Sequence, residues 1–458
     1  MFVEKIKTEG LAHLSYVIGD GGEAAVVDPR RDCELYVELA HARGCRIAHV
    51  FETHRNEDLV SGAPILAAMT GAEVHHGPNP ERPVVYADTV REGRRFTFGK
   101  LELAVLETPG HTDDSLSFAL YDADFGSEPV GVFTGDALFI GDVGRTDFYP
   151  DRAAEVAGLL FDSLRKLEAL GDQAILYPAH GAGSVCGDAM ADREFSTIGY
   201  ERRNNPMFAL QDRDAFVEKK LNEHHYQPPY FRLMERLNME GGEAVRRVLS
   251  PAPRGAGALA GHEGATLLDV RGVTAFLGAH LPGSLAIPAD MLSAFAGWLL
   301  DPEERLLLVA DDGAQATAAA RSLAQIGYDR VEGFLDTALP AWAAGARPFG
   351  ALPALDVEEV ARRVADPPEG WSLLDVRGVT EVEASPIPGA RHLYLGELPQ
   401  RLGELDPERS YTTMCASGAR ATVAASVLAR AGFSGVSVFL GSAGAWQAAG
   451  HPTADKAQ

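Results

Sequence analysis

Eight consecutive residues occur twice in this chain, and the repetition leaves few architectures open for its second half. Thr266-Leu-Leu-Asp-Val-Arg-Gly-Val-Thr274 returns as Ser372-Leu-Leu-Asp-Val-Arg-Gly-Val-Thr380. Leu308–Thr317 (Leu-Val-Ala-Asp-Asp-Gly-Ala-Gln-Ala-Thr) returns as Thr413–Thr422 (Thr-Met-Cys-Ala-Ser-Gly-Ala-Arg-Ala-Thr). Each copy then continues through a small-residue helix into a short strand, Val331–Phe334 or Val436–Leu440. Strands alternating with helices build a parallel sheet. Two α/β units of about 100 residues are therefore expected in tandem, joined near Phe349-Gly-Ala-Leu-Pro. Ser250-Pro-Ala-Pro-Arg-Gly-Ala-Gly reads as a linker by composition. The domains expected are 1–249, 250–350 and 351–458.

The first segment has a different rhythm. Leu14–Ile18 and Ala24–Val27 read as a hairpin across Gly19-Asp20-Gly21-Gly22, Cys33–Arg43 has helical spacing, and Ile47–Glu52 is a strand. Strand–helix–strand order continues to about residue 185, which fits two packed sheets with helices outside, an αββα sandwich. Residues 188–249 are more polar, with the aromatic, Pro-rich stretch His225-Tyr-Gln-Pro-Pro-Tyr-Phe. They form a helical extension, either a cap over a site, an oligomer contact or a peripheral addition.

The chemistry-bearing residues of this segment follow apolar strands. Residues 53–58 read Thr-His-Arg-Asn-Glu-Asp; His111 lies in Thr-Pro-Gly-His-Thr, Asp136 in Thr-Gly-Asp-Ala-Leu-Phe, and His180 in Pro-Ala-His-Gly-Ala-Gly-Ser. Loops at strand ends are where scaffolds place chemistry. Two imidazoles and one carboxylate make a set suited to non-haem Fe(II) with open positions. Cys33 and Cys45 are expected in the core. His75-His76 reads as a turn near a strand end with no partner at metal-binding spacing, and His224-His225 is equally unsupported.

The ordered set His54, Asp58, His111, Asp136, His180 resembles the metallo-β-lactamase fold. Within it, Gly-Asp-Val-Gly-Arg-Thr-Asp (141–147) and Pro-Ala-His-Gly-Ala-Gly-Ser (178–184) resemble the persulfide dioxygenases, iron enzymes that oxidise the outer sulfur of a thiol persulfide to sulfite with O2. Two-metal relatives carry Thr-His-x-His-x-Asp-His; here Asn56 and Leu59 replace the second and third His. The resemblance places one Fe(II) per chain on His54, His111 and Asp136. It makes Asp58 an orienting partner of a ligand imidazole and His180 a pocket residue for substrate or metal-bound water. Arg145, with Asp147 beside it, binds an anionic substrate tail or holds the loop by a salt bridge. Cys186 is either a pocket thiol that contacts persulfide or a small core residue.

Cys415 closes a strand and opens Cys-Ala-Ser-Gly-Ala-Arg-Ala, ahead of a helix read as Thr422–Ala431. Backbone N–H groups and the helix dipole favour thiolate there, and Arg420 adds positive charge. With Asp375-Val-Arg377 and Pro388-Gly-Ala-Arg-His392, the last unit resembles the rhodaneses, which carry sulfane sulfur on one cysteine. The middle unit has Ala310 and Gln315 at the aligned places, so it is expected to be inactive and to serve packing.

Four cysteines are too few for a disulfide framework. A net charge of −24 disfavours nucleic acid and anionic membranes. No apolar run approaches the about 18 residues of a membrane span, and a cytoplasmic enzyme is expected. The expected partners are a thiol persulfide (glutathione, coenzyme A or bacillithiol type), O2, thiosulfate or sulfite, and further copies of the chain as a dimer or tetramer. A zinc thioester hydrolase related to glyoxalase II and a non-catalytic sulfur-binding protein are the alternatives.

Overall fold

The structure is a computed structural model and describes residues 1–8, 10–187, 189–241, 250–254, 264–335 and 338–453. The expected boundary at 249 and the latter part of the linker lie outside the described residues. By compactness the chain divides into one unit of residues 1–248 with 324–327, and another of 249–323 with 328–458.

The first unit contains two sheets. One is six-stranded in sequence order: β1 (Phe2–Thr8), β2 (His13–Asp20), β3 (Glu23–Val27), β4 (Arg46–Phe51), β5 (Glu73–His76) and β6 (Asp88–Thr89). The other comprises β7 (Arg95–Phe98), β8 (Leu101–Glu107), β9 (Leu116–Asp122), β10 (Gly131–Gly135) and β11 (Ile175–Pro178), ordered 11-10-9-8-7. Strand alternation sorts the side chains into layers. Tyr16, Ile18, Ala25, Val27 and Phe51 meet Phe96, Leu103, Phe118, Leu120 and Phe133 in one buried cluster. The residues between them, Val17, Ala24, Val26 and Val50, pack outward with Tyr36 and Ala40 of the helix Glu34–Ala42 and Leu66 of the helix Ala63–Thr70. Cys33 and Cys45 lie in that outer cluster. On the other sheet, Val132 and Leu176 pack with Leu160, Leu164 and Leu167 of the helix Ala153–Glu168. This is the αββα sandwich. His75 and His76 do not form a turn; they close β5, both buried.

The extension supplies three helices, Ile198–Asn204, Arg213–Leu221 and Phe231–Glu240. The last braces the loop that carries the first motif. Tyr230 donates to the Asp58 carbonyl, and Asn238 Nδ2 donates to the Asn56 and Leu59 carbonyls at 2.7 and 2.8 Å.

The second unit holds two all-parallel sheets, one of four strands and one of five. The repeated Asp-Val-Arg is an ion pair in both. Arg271 grips both carboxylate oxygens of Asp269 and donates to Ala279 O; Arg377 does the same with Asp375 and Ser385 O. That bidentate fork fixes the turn leaving the strand that ends at Asp269 or Asp375, so the repeat is structural.

Candidate metal centre and sulfur-transfer loop

His54, His111 and Asp136 come together, fully buried, with one ligand atom of each inside a 4.8 Å set. His54 follows β4, His111 follows β8 and Asp136 follows β10. Gly110 sets His111: at φ +138° it lies against the helix Ala153–Glu168, where a Cβ would come 2.4 Å from Leu160 N. Only glycine allows that approach.

Each imidazole is aimed by its far nitrogen. Asp28, held at φ +50°, accepts from Thr53 N (2.7 Å) and Thr53 Oγ1 (2.8 Å). With its proton committed to Asp28, Thr53 Oγ1 accepts from His54 Nδ1 at 2.9 Å. Burial pushes the Asp28 carboxyl up to about 7 despite those bonds. His111 Nδ1 donates to the Arg145 carbonyl at 3.0 Å. Both rings are thus Nδ1–H tautomers that present an Nε2 lone pair to the centre. Asp136 Oδ2 lies 3.8 Å from His54 Nε2 and 3.4 Å from His111 Nε2. Its other oxygen accepts from His180 Nδ1 at 2.7 Å. Thr53→Val should therefore lower metal affinity about 10–100-fold, the usual effect of losing a group that orients a ligand, with the fold intact; equilibrium dialysis against a metal buffer measures it.

The donor set fits a cation. Among the described residues, His111 Nε2 and both Glu57 oxygens are buried without hydrogen-bond partners. Glu57 Oε2 lies 3.5 Å from His111 Nε2 and 4.0 Å from His54 Nε2. Buried carboxylates are paired or bind metal; a divalent ion on His54, His111 and Asp136 would give the Glu57 carboxylate a neighbouring positive charge.

The remaining site residues divide. Asp58 faces neither proposed ligand imidazole at hydrogen-bonding distance; its Oδ2 lies 3.0 Å from His180 Nε2. His180 is therefore held between two carboxylates. Burial opposes its charged form, but Asp136 and Asp58 outweigh burial and keep its pKa well above the usual range. Cys186 joins Asp58 and His180 in a second buried group of potential ligands, and burial drives its thiol pKa well up. Arg145 takes the loop-holding alternative. It is 1% exposed, pairs both Asp147 oxygens at 2.6 Å, donates to the Val185 and Tyr226 carbonyls, and stacks on Phe148. Sequence reasoning missed Asp28, Thr53 and Glu57. Glu57 was visible as a carboxylate inside the motif, and Asp28 only as a strand-ending Asp-Pro.

The last unit builds a different site. Cys415 is buried after the strand Ser410–Met414, and its Sγ accepts from Gly418 N at 3.1 Å. Gly418 has φ +112°, and the helix it starts runs Ala419–Arg430, a turn earlier than its sequence suggests. Arg420 is bidentate with Glu381 at 2.6 Å, so its charge is largely answered before it reaches sulfur. In the middle unit, Asp312 Oδ1 accepts from Gln315 N and Gln315 Oε1 accepts from Asp311 N, both at 2.8 Å. Side chains thus take two of the N–H groups in the loop after Ala310. The same unit packs against the last one: Ala286 N donates to Ser426 Oγ on the Cys415 helix, and Trp298 meets Tyr394 edge-on.

The metallo-β-lactamase superfamily matches residues 8–180, and the rhodanese-like domain matches 256–345 and 356–449. The chain belongs to the metallo-β-lactamase superfamily and carries two rhodanese-like domains. It is similar to hydroxyacylglutathione hydrolases: 33% identical over 166 residues to that of Rhodospirillum rubrum, covering 35% of this chain and 57% of the relative, and 30% identical over 232 residues to that of Neisseria gonorrhoeae, covering 45% and 88%. It is also similar to the mitochondrial persulfide dioxygenase of Bos taurus, 29% identical over 223 residues, covering 45% and 76%. A metallo-β-lactamase structure from Staphylococcus aureus subsp. aureus COL is 29% identical with a TM-score of 0.67, covering 73% of this chain and 98% of that one. No helix among the described residues is long and apolar enough to cross a membrane.

Proposed function

We propose that the first unit is a mononuclear non-haem iron persulfide dioxygenase and that the last rhodanese-like domain transfers sulfane sulfur through Cys415. The observation that carries this reading is the convergence of two Nε2 lone pairs and one Asp136 oxygen, with Asn56 and Leu59 standing where a two-zinc site needs imidazoles. Two nitrogens and one carboxylate with open positions favour Fe(II) over a closed zinc site. The reaction consumes a low-molecular-weight thiol persulfide, O2 and water and releases thiol and sulfite. Bound iron supplies the redox activation of O2 and an adjoining position for the persulfide sulfur.

The chain's own residues do the rest. Asp28–Thr53 and the Arg145 carbonyl hold the His54 and His111 rings, His180 fixes one Asp136 oxygen, and Phe148, edge-on to His111, keeps that side dry. Sulfite from the first unit and sulfane sulfur on Cys415 combine to thiosulfate, or thiosulfate is consumed in reverse.

The zinc thioester hydrolase reading keeps one specific support, the similarity to hydroxyacylglutathione hydrolases. Metal analysis of the full chain together with O2 uptake on persulfides of glutathione, coenzyme A and bacillithiol separates the two. One iron per chain and O2 consumption are expected. Two zincs per chain with hydrolysis of S-lactoyl-glutathione and no O2 uptake would replace this reading by the hydrolase.

A further inference from the structure

The chain contains a second cluster of ligand atoms, on adjacent strands of the first sheet. β4 and β5 run parallel with His49 opposite Glu73 and Phe51 opposite His75. Residues 49, 73 and 75 therefore point to one face of the sheet. His49 Nδ1 lies 3.1 Å from His75 Nε2 and 3.7 Å from Glu73 Oε2, and His75 Nε2 lies 3.9 Å from the same oxygen. A tetrahedral zinc with bonds of about 2.0–2.1 Å holds its ligand atoms about 3.3 Å apart. The three atoms already have nearly that spacing.

The rings are held there from behind. His75 is buried, its centroid 4.4 Å from Phe96 and 5.0 Å from Phe51, and its Nδ1 has no hydrogen-bond partner among the described residues. The ring thus spends a buried polar atom to aim Nε2 at His49. His49 is half-buried and Glu73 is exposed, so the cluster opens to solvent beside a cleft lined by Asp88, Arg91, Arg94 and Phe96. Burial keeps both imidazoles below their usual pKa, His75 at about 4. Neutral imidazoles are the form that binds metal.

We propose that His49, Glu73 and His75 bind a divalent transition cation of the zinc class, with a fourth position open to water. The site is separate from the His54–His111–Asp136 centre and does not depend on what that centre does. Two neutral imidazoles and one carboxylate carry one negative charge, which the cation more than neutralises. The bound ion cross-links β4 to β5, and β4 is the strand that delivers His54.

The test titrates metal-free full-length His54→Ala protein with Co(II), read by visible absorption and by bound metal. The same protein carrying His49→Gln and Glu73→Gln serves as comparison; both positions reach solvent, so the fold tolerates them. A difference of one cobalt per chain is expected, with Zn(II) displacing that cobalt. Glu73→Gln alone should weaken it about tenfold or more. Equal cobalt binding with and without the His49 and Glu73 substitutions would overturn the proposal and leave a hydrogen-bonded histidine pair.

Discussion

His54→Ala should abolish metal binding at the first centre and O2 consumption with persulfide together, while Asn56→Ala leaves both in place. The two residues are separated by one position, and both are buried. Only His54 carries an Nε2 lone pair aimed by a Thr53–Asp28 relay at Asp136 and His111. Asn56 Nδ2 makes a 3.5 Å approach to the His54 carbonyl, and its Oδ1, an amide oxygen, offers a weaker ligand than an imidazole. Its backbone carbonyl, which substitution does not remove, takes the bond from Asn238. Loss of one of the three proposed ligands should exceed the about 10–100-fold effect of losing an orienting partner. Inductively coupled plasma analysis after gel filtration, alongside an oxygen electrode, reads both quantities. Asn56→Ala emptying the site as fully as His54→Ala would show that the ligands are misassigned.

The residues that were legible are those for which local sequence decides position. His54, His111, Asp136 and His180 each follow an apolar strand, and the sandwich follows from alternation such as Tyr16-Val17-Ile18, one face to each layer. What long-range pairing decides was not legible. Asp58 was expected to orient a ligand imidazole, but its Oδ2 lies against His180 Nε2, while Thr53 Oγ1 and the Arg145 carbonyl take the Nδ1 atoms of the two proposed ligands, His54 and His111. Arg145 read equally as a substrate cation or a loop clamp, and only the positions of Val185, Tyr226 and Phe148 choose the clamp. His75 showed no partner because its partner is on the neighbouring strand, and parallel pairing of β4 with β5 leaves no periodic trace in either segment. The start of the Cys415 helix was misplaced because Gly418, read as loop, adopts a positive φ and begins the helix at once.

Cys415→Ser should reduce sulfur transfer from thiosulfate to background and leave O2 uptake with persulfide largely intact. Ser cannot hold sulfane sulfur, since the acceptor must be a thiolate nucleophile. The rest of the loop, Gly418 N and the Arg420–Glu381 pair, survives the change. The proposed iron ligands belong to the other compact unit, so equal loss of both activities would mean one shared site. Adding Ala310→Cys to this variant tests the middle unit. The loop there is already closed: Asp312 takes Gln315 N, and Gln315 takes Asp311 N. A thiol at 310 would meet two carboxylates and no arginine, and like charge raises a thiol's pKa. Persulfide mapping by mass spectrometry after thiosulfate treatment should find no sulfur at 310. Full transfer activity in the double variant would show instead that the middle unit lacks nothing but its nucleophile, and that its packing contacts through Ala286 and Trp298 are not its main purpose.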